Sequence, residues 1–387
     1  CLEKLPQTED VLRKMVDART TLGLYWMQIS HFVQAKEAVE PVVDLALKLG
    51  YKRRISQIYS TLGLCTFWME EDYPRAHRYL TDGLRIAEEL NDILSLATAN
   101  LCLGLVLSGN CEYEKAADHF RKILDINTAA NNLWGIATNK CMRSYWVHNL
   151  QGRIDLGFRE TSEAVKLAED SGDIYSKAYG YGFHGISLYS KGFLREAEEY
   201  LVKGINFYQH INDPALVSGG YFHLGETYLN MGKHVQARDA FERGISLLEQ
   251  HRLLPSWLNL TRLALALVKI LGGDVDIELK PLYRYQAANN MKVWEGWMQR
   301  YLSAILLNFD AKRLPEAEDW INKAIEADTR NGTRFSLAQD YAHYAELCKR
   351  KGDRVMAKEK LSKAIEVFKE CGADGWVKKY EEELAKI

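Results

Sequence analysis

The sequence predicts an all-α fold: a right-handed superhelical solenoid of about nine helix-turn-helix units, closed by a C-terminal capping helix. Three observations carry this. Turn residues recur at Gly152, Gly192, Gly232, Gly272 and Gly352, with Lys312 in the remaining slot, so the step is 40 residues. A small residue follows in register at Ala197, Ala237, Ala317 and Ala357. Only seven prolines occur in 387 residues, beside abundant Ala, Leu, Glu and Lys, a composition that favours helix over strand or loop. A fixed period of this length marks stacked supersecondary units.

The units begin near residues 12, 52, 93, 133, 174, 214, 255, 292 and 333. Leu22-Gly23, Leu62-Gly63 and Leu103-Gly104 carry the beat in the first three, and Tyr59 to Leu84 is a clear copy. In the fourth, Tyr145 replaces the usual small residue and Gly157 stands where alanine is expected. The fifth, Tyr181 to Phe207, restores the pattern with Gly185. The sixth shows it most plainly. Tyr221, Leu224, Gly225 and Tyr228 fall at i, i+3, i+4 and i+7 on one helix face. Met231-Gly232-Lys233 then breaks the helix, and Ala237, Phe241, Gly244 and Ile245 form the stripe of an antiparallel second helix. In the seventh, Ile277, Pro281 and Arg284 occupy second-helix core positions. Proline fits a helix only in its first turn, so that helix starts late, near Glu278 to Pro281. The ninth unit repeats the pattern from Tyr341 to Phe368, and 374–387 form the capping helix, with Trp376 and Tyr380 inward and Glu381, Glu382 and Glu383 in solvent.

This order of small and large positions resembles the tetratricopeptide repeat, in a variant of about 40 residues rather than the commoner 34. The resemblance implies a binding array and says little about the partner. At the N-terminus, Leu5-Pro6-Gln7-Thr8, Val16-Asp17-Ala18-Arg19, Leu22, Ala38 and the stretch Leu45 to Gly50 are similar to the start of the repeat region that follows the ATPase module of large bacterial signalling proteins, many of which begin with a class III adenylate or guanylate cyclase domain. That resemblance implies covalently linked signalling domains. The opening Cys1-Leu2-Glu3-Lys4 is read accordingly as a cut within a longer protein.

Composition narrows the function classes. Fifty basic against 52 acidic residues leave a charge of −2, without the cationic excess that nucleic acid or an anionic membrane surface demands. No apolar run is long enough to span a bilayer, so no membrane insertion is expected. Seven dispersed cysteines without a CxxC pair read as reduced thiols in a cytoplasmic protein. Gly180, Gly182 and Gly185 spell GxGxxG, but they lie within a first helix, where the dinucleotide fingerprint cannot work. They read as packing glycines. His148, His184 and His223 recur at related first-helix positions and read as core-edge hydrogen-bonding groups. No nucleophile set, metal-ligand spacing or isolated acidic pair stands out, so the expectation is a non-catalytic module without a cofactor or metal.

Function is expected on the concave face, which the first helices line. Register places Asn139, Met142, Trp146 and Asn149 of the fourth unit inward, then Tyr175, Tyr179, Gly182, Ile186 and Tyr189 of the fifth. The sixth adds Phe222, Glu226 and Asn230, the seventh Asn259 and Arg262, and the eighth Glu295 and Gln299. Rings supply contact area and amides supply direction, as a groove for a protein segment or small effector requires. Arg262 either meets an anionic ligand group or pairs with Glu226 or Glu295. Gly182 makes room for a ligand, or for Tyr179 and Phe222. The rival expectation is a scaffold or oligomerisation arm that works through its outer faces.

Overall fold

The computed structural model describes residues 4–273 and 277–387, and within them every regular element is helical. Cys1, Leu2 and Glu3 of the opening lie outside the described residues. The first unit pairs α1 (Glu9–Gln28) with α2 (Phe32–Val39) and α3 (Val43–Lys48), which a short 3-10 turn containing Pro41 separates. The second is α4 (Lys52–Cys65), extended by a π-helical turn over Thr66–Glu70, and α5 (Tyr73–Leu90). Then come α6 (Ile93–Gly109) with α7 (Tyr113–Ala129), and α8 (Leu133–Arg143), extended by a second π turn over Ser144–Asn149, with α9 (Ile154–Ser171). The fifth and sixth units are α10 (Ile174–Lys191) with α11 (Leu194–His210), and α12 (Pro214–Asn230) with α13 (His234–His251). The seventh joins α14 (Pro255–Leu271) to α15 (Leu279–Ala287), the eighth α16 (Glu295–Phe309) to α17 (Leu314–Asn331), and the ninth α18 (Arg334–Lys351) to α19 (Arg354–Cys371). The chain closes with α20 (Asp374–Leu384).

Local chemistry sets these boundaries. Asp92, Asn132, Asp173 and Asp213 each accept the backbone N–H three residues on, capping α6, α8, α10 and α12. Such a cap contributes about 1 kcal/mol. The 40-residue beat is a packing rule: a Cβ on Gly185 would sit 2.8 Å from Leu201, and one on Gly225 would sit 2.6 Å from the Phe241 ring. The first helix therefore keeps a glycine where the second helix inserts a large side chain. In the seventh unit α15 starts at Leu279, with Pro281 in its first turn, and runs only nine residues. Met291, Val293 and Trp294, in the segment that follows it, are buried.

The second and fourth units depart from the rule in the same way. Their second helices start 21 residues after the first (Lys52 to Tyr73, Leu133 to Ile154), against 20 for Ile93 to Tyr113, Ile174 to Leu194 and Pro214 to His234. A π turn absorbs one additional residue. In the fourth unit Ser144 thereby takes the small-residue position, its hydroxyl donating to Gly157 O at 2.9 Å. Tyr145, which the sequence placed at that position, turns inward instead.

Successive superhelical turns touch along a seam. The Ser30 hydroxyl donates to Asp213 at 3.1 Å, and the His31 ring nitrogen Nε2 donates to Asn212 O at 3.1 Å. Glu71 accepts both the N–H and the hydroxyl of Ser256, at 2.7 and 2.6 Å, so it caps α14 from the turn below. Leu254 N–H donates to Trp68 O at 3.0 Å. Lys191 reaches Asp374 and Gly372 O, and the Trp376 indole donates to Tyr189 O at 2.9 Å. These partners are 181 to 187 residues apart, so one superhelical turn takes more than four units. The solenoid is wound tightly enough to bond to itself.

Candidate functional site

Inside the first superhelical turn lies a cavity of about 1110 Å³. The first helices of the first six units form most of its wall, and Trp257 and Trp294 close it from the next turn. Its surface is mainly aliphatic and aromatic. The π turns aim Trp68 and Trp146 at each other, with ring centroids 5.4 Å apart, and Trp68 stacks on Trp294 at 6.4 Å. At the mouth Tyr25, Ile93, Leu94 and Trp134 are 54, 65, 55 and 38% exposed, an apolar rim at a polar surface. Among the described lining residues, the formally charged pair Arg53 and Asp92 sits together at the start of α4 and α6, 3.3 Å apart.

Two features of the wall have no packing explanation. Asn139, at mid-α8, is 3% exposed, yet among the described residues neither its amide nitrogen nor its amide oxygen has a partner. A buried amide left this way costs about 1–3 kcal/mol. Gly219, within α12, lines the same cavity, and a Cβ added there would meet nothing within 4 Å. A mid-helix glycine costs about 1 kcal/mol relative to alanine. Here it relieves no clash; it leaves the helix backbone open to the cavity.

Of the inward positions read from the sequence, Asn139, Met142, Trp146, Tyr175, Tyr179 and Ile186 line this cavity. Others lie between helices. Asn149 donates to Ser187 Oγ at 3.4 Å, and Phe222 is fully buried against Trp257 and Trp297. Gly182 makes room, but for Tyr208, whose hydroxyl would lie 2.0 Å from a Cβ there, rather than for Tyr179, Phe222 or a ligand. Gly180 and Gly185 likewise pack on α9 and α11.

The inner face of the later units is filled by the chain's own polar groups. Glu226 accepts from the hydroxyls of Tyr189 and Tyr301, and Tyr189 also accepts from Gln339 at 3.2 Å. Arg300 is held by Asp340 at 2.6 Å and by Gln339 and Ser336. Burial pushes the Glu226, Asp328 and Asp340 carboxyls upward, and Arg300 offsets this only in part. Asn230 donates to Glu226 O and borders a smaller space of about 290 Å³. Gln299 is buried, with its oxygen unpartnered among the described residues. Arg262 pairs with Glu249 at 2.7 Å, Asn259 at 3.3 Å and the Tyr285 ring, not with Glu226 or Glu295. Glu295 is taken by Arg330 at 2.6 Å. The reason is geometric: an inward register makes an open surface only where the interior is empty, and at Tyr189, Glu226 and beyond it is packed against later units.

Sequence reading passed over Gly219, Trp68, Tyr145 and Trp257 as site residues. The doublet Gly219-Gly220 inside a helical stripe was the signal available for the first. Of the three histidines, His184 is bonded to Thr161 at 2.9 Å and His148 lies 3.4 Å from Glu160, both within the core. His223 instead faces the cavity. Five of the six described cysteines are buried, and burial pushes the Cys65 and Cys102 thiols up to about 12. That leaves them as unreactive small hydrophobes.

Residues 218–251 match the model of the tetratricopeptide repeat. No curated protein matches the chain in sequence. Among solved structures, a Rap protein complexed with competence and sporulation factor aligns over 96% of this chain and 99% of its own, with a TM-score of 0.56 at 13% identity. The apo form of RapI aligns over 92% and 97%, with a TM-score of 0.53 at 13% identity. By its helical pairs, its matched repeat and these neighbours, the chain has the superhelical solenoid fold of tetratricopeptide-repeat proteins.

Proposed function

We propose that this chain is a non-catalytic peptide-binding module, and that the interior cavity takes an extended apolar segment of a protein partner. The observation that carries this is Asn139, a buried amide with both its donor and its acceptor unused, set among rings and aliphatic side chains. An amide offering one donor and one acceptor complements a peptide group, and the surrounding rings supply contact area. Gly219 lets a backbone approach α12 closely, and the apolar rim offers a place of first contact. A Rap protein that aligns along nearly the whole of this chain is complexed with competence and sporulation factor, which is compatible with a solenoid of this size acting as a receptor. The N-terminal resemblance supports a further step, in which the module regulates a linked cyclase or ATPase domain in the cytoplasm. Coupling would run through the seam, because Ser30, Trp68 and Leu254 belong both to it and to the cavity wall.

The test is selection from a random displayed-peptide library followed by calorimetry on the winners. Uninterrupted apolar sequences should be enriched and should lose affinity at least tenfold on Gly219→Leu, which fills the cavity from a position where added atoms meet nothing. A library that yields no binder, or binders indifferent to Gly219→Leu, removes the proposal.

A further inference from the structure

At one end of the cavity stands a second unsatisfied group. His223 on α12 is 4% exposed, with its Nε2 3.3 Å from the Tyr145 hydroxyl. Its Nδ1 has no partner among the described residues. The rings of Tyr145, Trp257 and Trp297 surround it at 5.5, 6.0 and 6.3 Å between centroids. Burial among them lowers its pKa to about 3, so the imidazole is neutral at physiological pH.

A neutral imidazole carries one N–H and one bare nitrogen. If the Tyr145 O–H donates to Nε2, then Nδ1 holds the proton and has no acceptor. If Nε2–H donates to the tyrosine oxygen, the O–H of Tyr145 is the donor left over. Both tautomers leave one hydrogen-bond donor unsatisfied. The Asn139 amide adds unused donor and acceptor sites in equal number, two N–H groups and two oxygen lone pairs. The donor is the constant at this end of the cavity: whichever tautomer is present, one buried N–H or O–H here lacks an acceptor. The charged groups of the lining, Arg53 and Asp92, already face each other at the mouth. A carboxylate at His223 would lie in apolar surroundings without a cation, at a cost of several kcal/mol, and an ammonium would find no anion.

We infer that His223 and Tyr145 form a carbonyl-reading subsite, so that the buried part of the ligand is an uncharged amide or ester oxygen flanked by apolar groups. This rests on the cavity being the binding site. Two ligand sources share that chemistry, a peptide backbone and a fatty-acyl amide, and the experiment separates them.

Binding of acetyl-Leu-Ile-Leu-Val-amide, N-methyldecanamide, decanoate and decylammonium to the full chain is followed at pH 7.5 through tryptophan fluorescence, to which Trp68, Trp146 and Trp257 contribute from the wall. At least one amide should bind tenfold or more tighter than both charged probes, and the tighter amide identifies the source. His223→Phe and Tyr145→Phe should each weaken that amide about tenfold, with thermal midpoints no lower than that of the parent. Decanoate binding as tightly as the amides would overturn the assignment. Amide binding that ignores both substitutions would also overturn it while leaving the cavity as the site. If no probe binds, the cavity reading fails and the subsite with it.

Discussion

Asn139 and Arg262 show how one side chain changes meaning with its surroundings. Both occupy inward register positions, and both types are common in recognition surfaces. Arg262 is spent on Glu249, Asn259 and Tyr285, each within or beside its own hairpin. It holds neighbouring helices together near the surface, where such a pair is worth at most about 1 kcal/mol. Asn139 is the reverse case: a group with unmet hydrogen bonds that the fold retains. Replacing it by leucine, of similar size, should raise the unfolding free energy of the ligand-free protein by about 1–3 kcal/mol, measured by urea denaturation, while peptide binding is lost. A purely structural asparagine would show the opposite sign, destabilisation.

At the scale of the element, the two π turns matter most. Each stores the single residue by which the second and fourth units exceed their neighbours, and each sits where a tryptophan enters the cavity. Periodicity detects the hairpins but not these turns, because one added residue looks like an imperfect repeat. Tyr145 was visible in the sequence as a misfit at a small-residue position, and the misfit is the site residue. Removing Tyr145 restores the 20-residue spacing, so α8 should continue as a regular helix. Circular dichroism should then report undiminished helicity and a thermal midpoint within a few degrees of the parent, while quenching of the cavity tryptophans by apolar amides disappears. Collapse of the fold in this deletion would mean that the π turn serves stability rather than the site.

For the whole molecule, the decisive feature is the seam. Asp213 caps α12 and receives the Ser30 hydroxyl from one superhelical turn away, and its burial raises the carboxyl from the usual value near 4 to about 6. The folded state therefore binds this proton more tightly than the unfolded chain does. The contribution of Asp213 to stability is fully present below pH 4, falls as the pH rises towards 6, and is constant above that. Asparagine caps a helix equally well and does not titrate. Asp213→Asn should match the parent at pH 4 and exceed it by a few kcal/mol at pH 7, since each tenfold difference in proton affinity between the folded and unfolded states is worth about 1.4 kcal/mol. Chemical denaturation at both pH values checks this; a difference that stays constant with pH would show that Asp213 is not coupled to folding.

The sequence by itself determined the hairpins, their 40-residue step, the late start of α15 and the closing helix with Trp376 inward. Each of these follows from contacts within a unit or between neighbours, and such contacts leave a period in the chain: Gly225 faces Phe241 in the sixth unit as Gly185 faces Leu201 in the fifth. Tertiary structure alone decided which part of the inner face stays open. Tyr189, Glu226 and Gln299 share the register of Asn139 and Trp146, yet the former are filled in by Tyr301, Gln339 and the capping helix while the latter face the cavity. That difference arises from how steeply the superhelix winds. Winding is the sum of many small rotations between units, and it brings together residues about 183 positions apart, a separation at which no local pattern carries information.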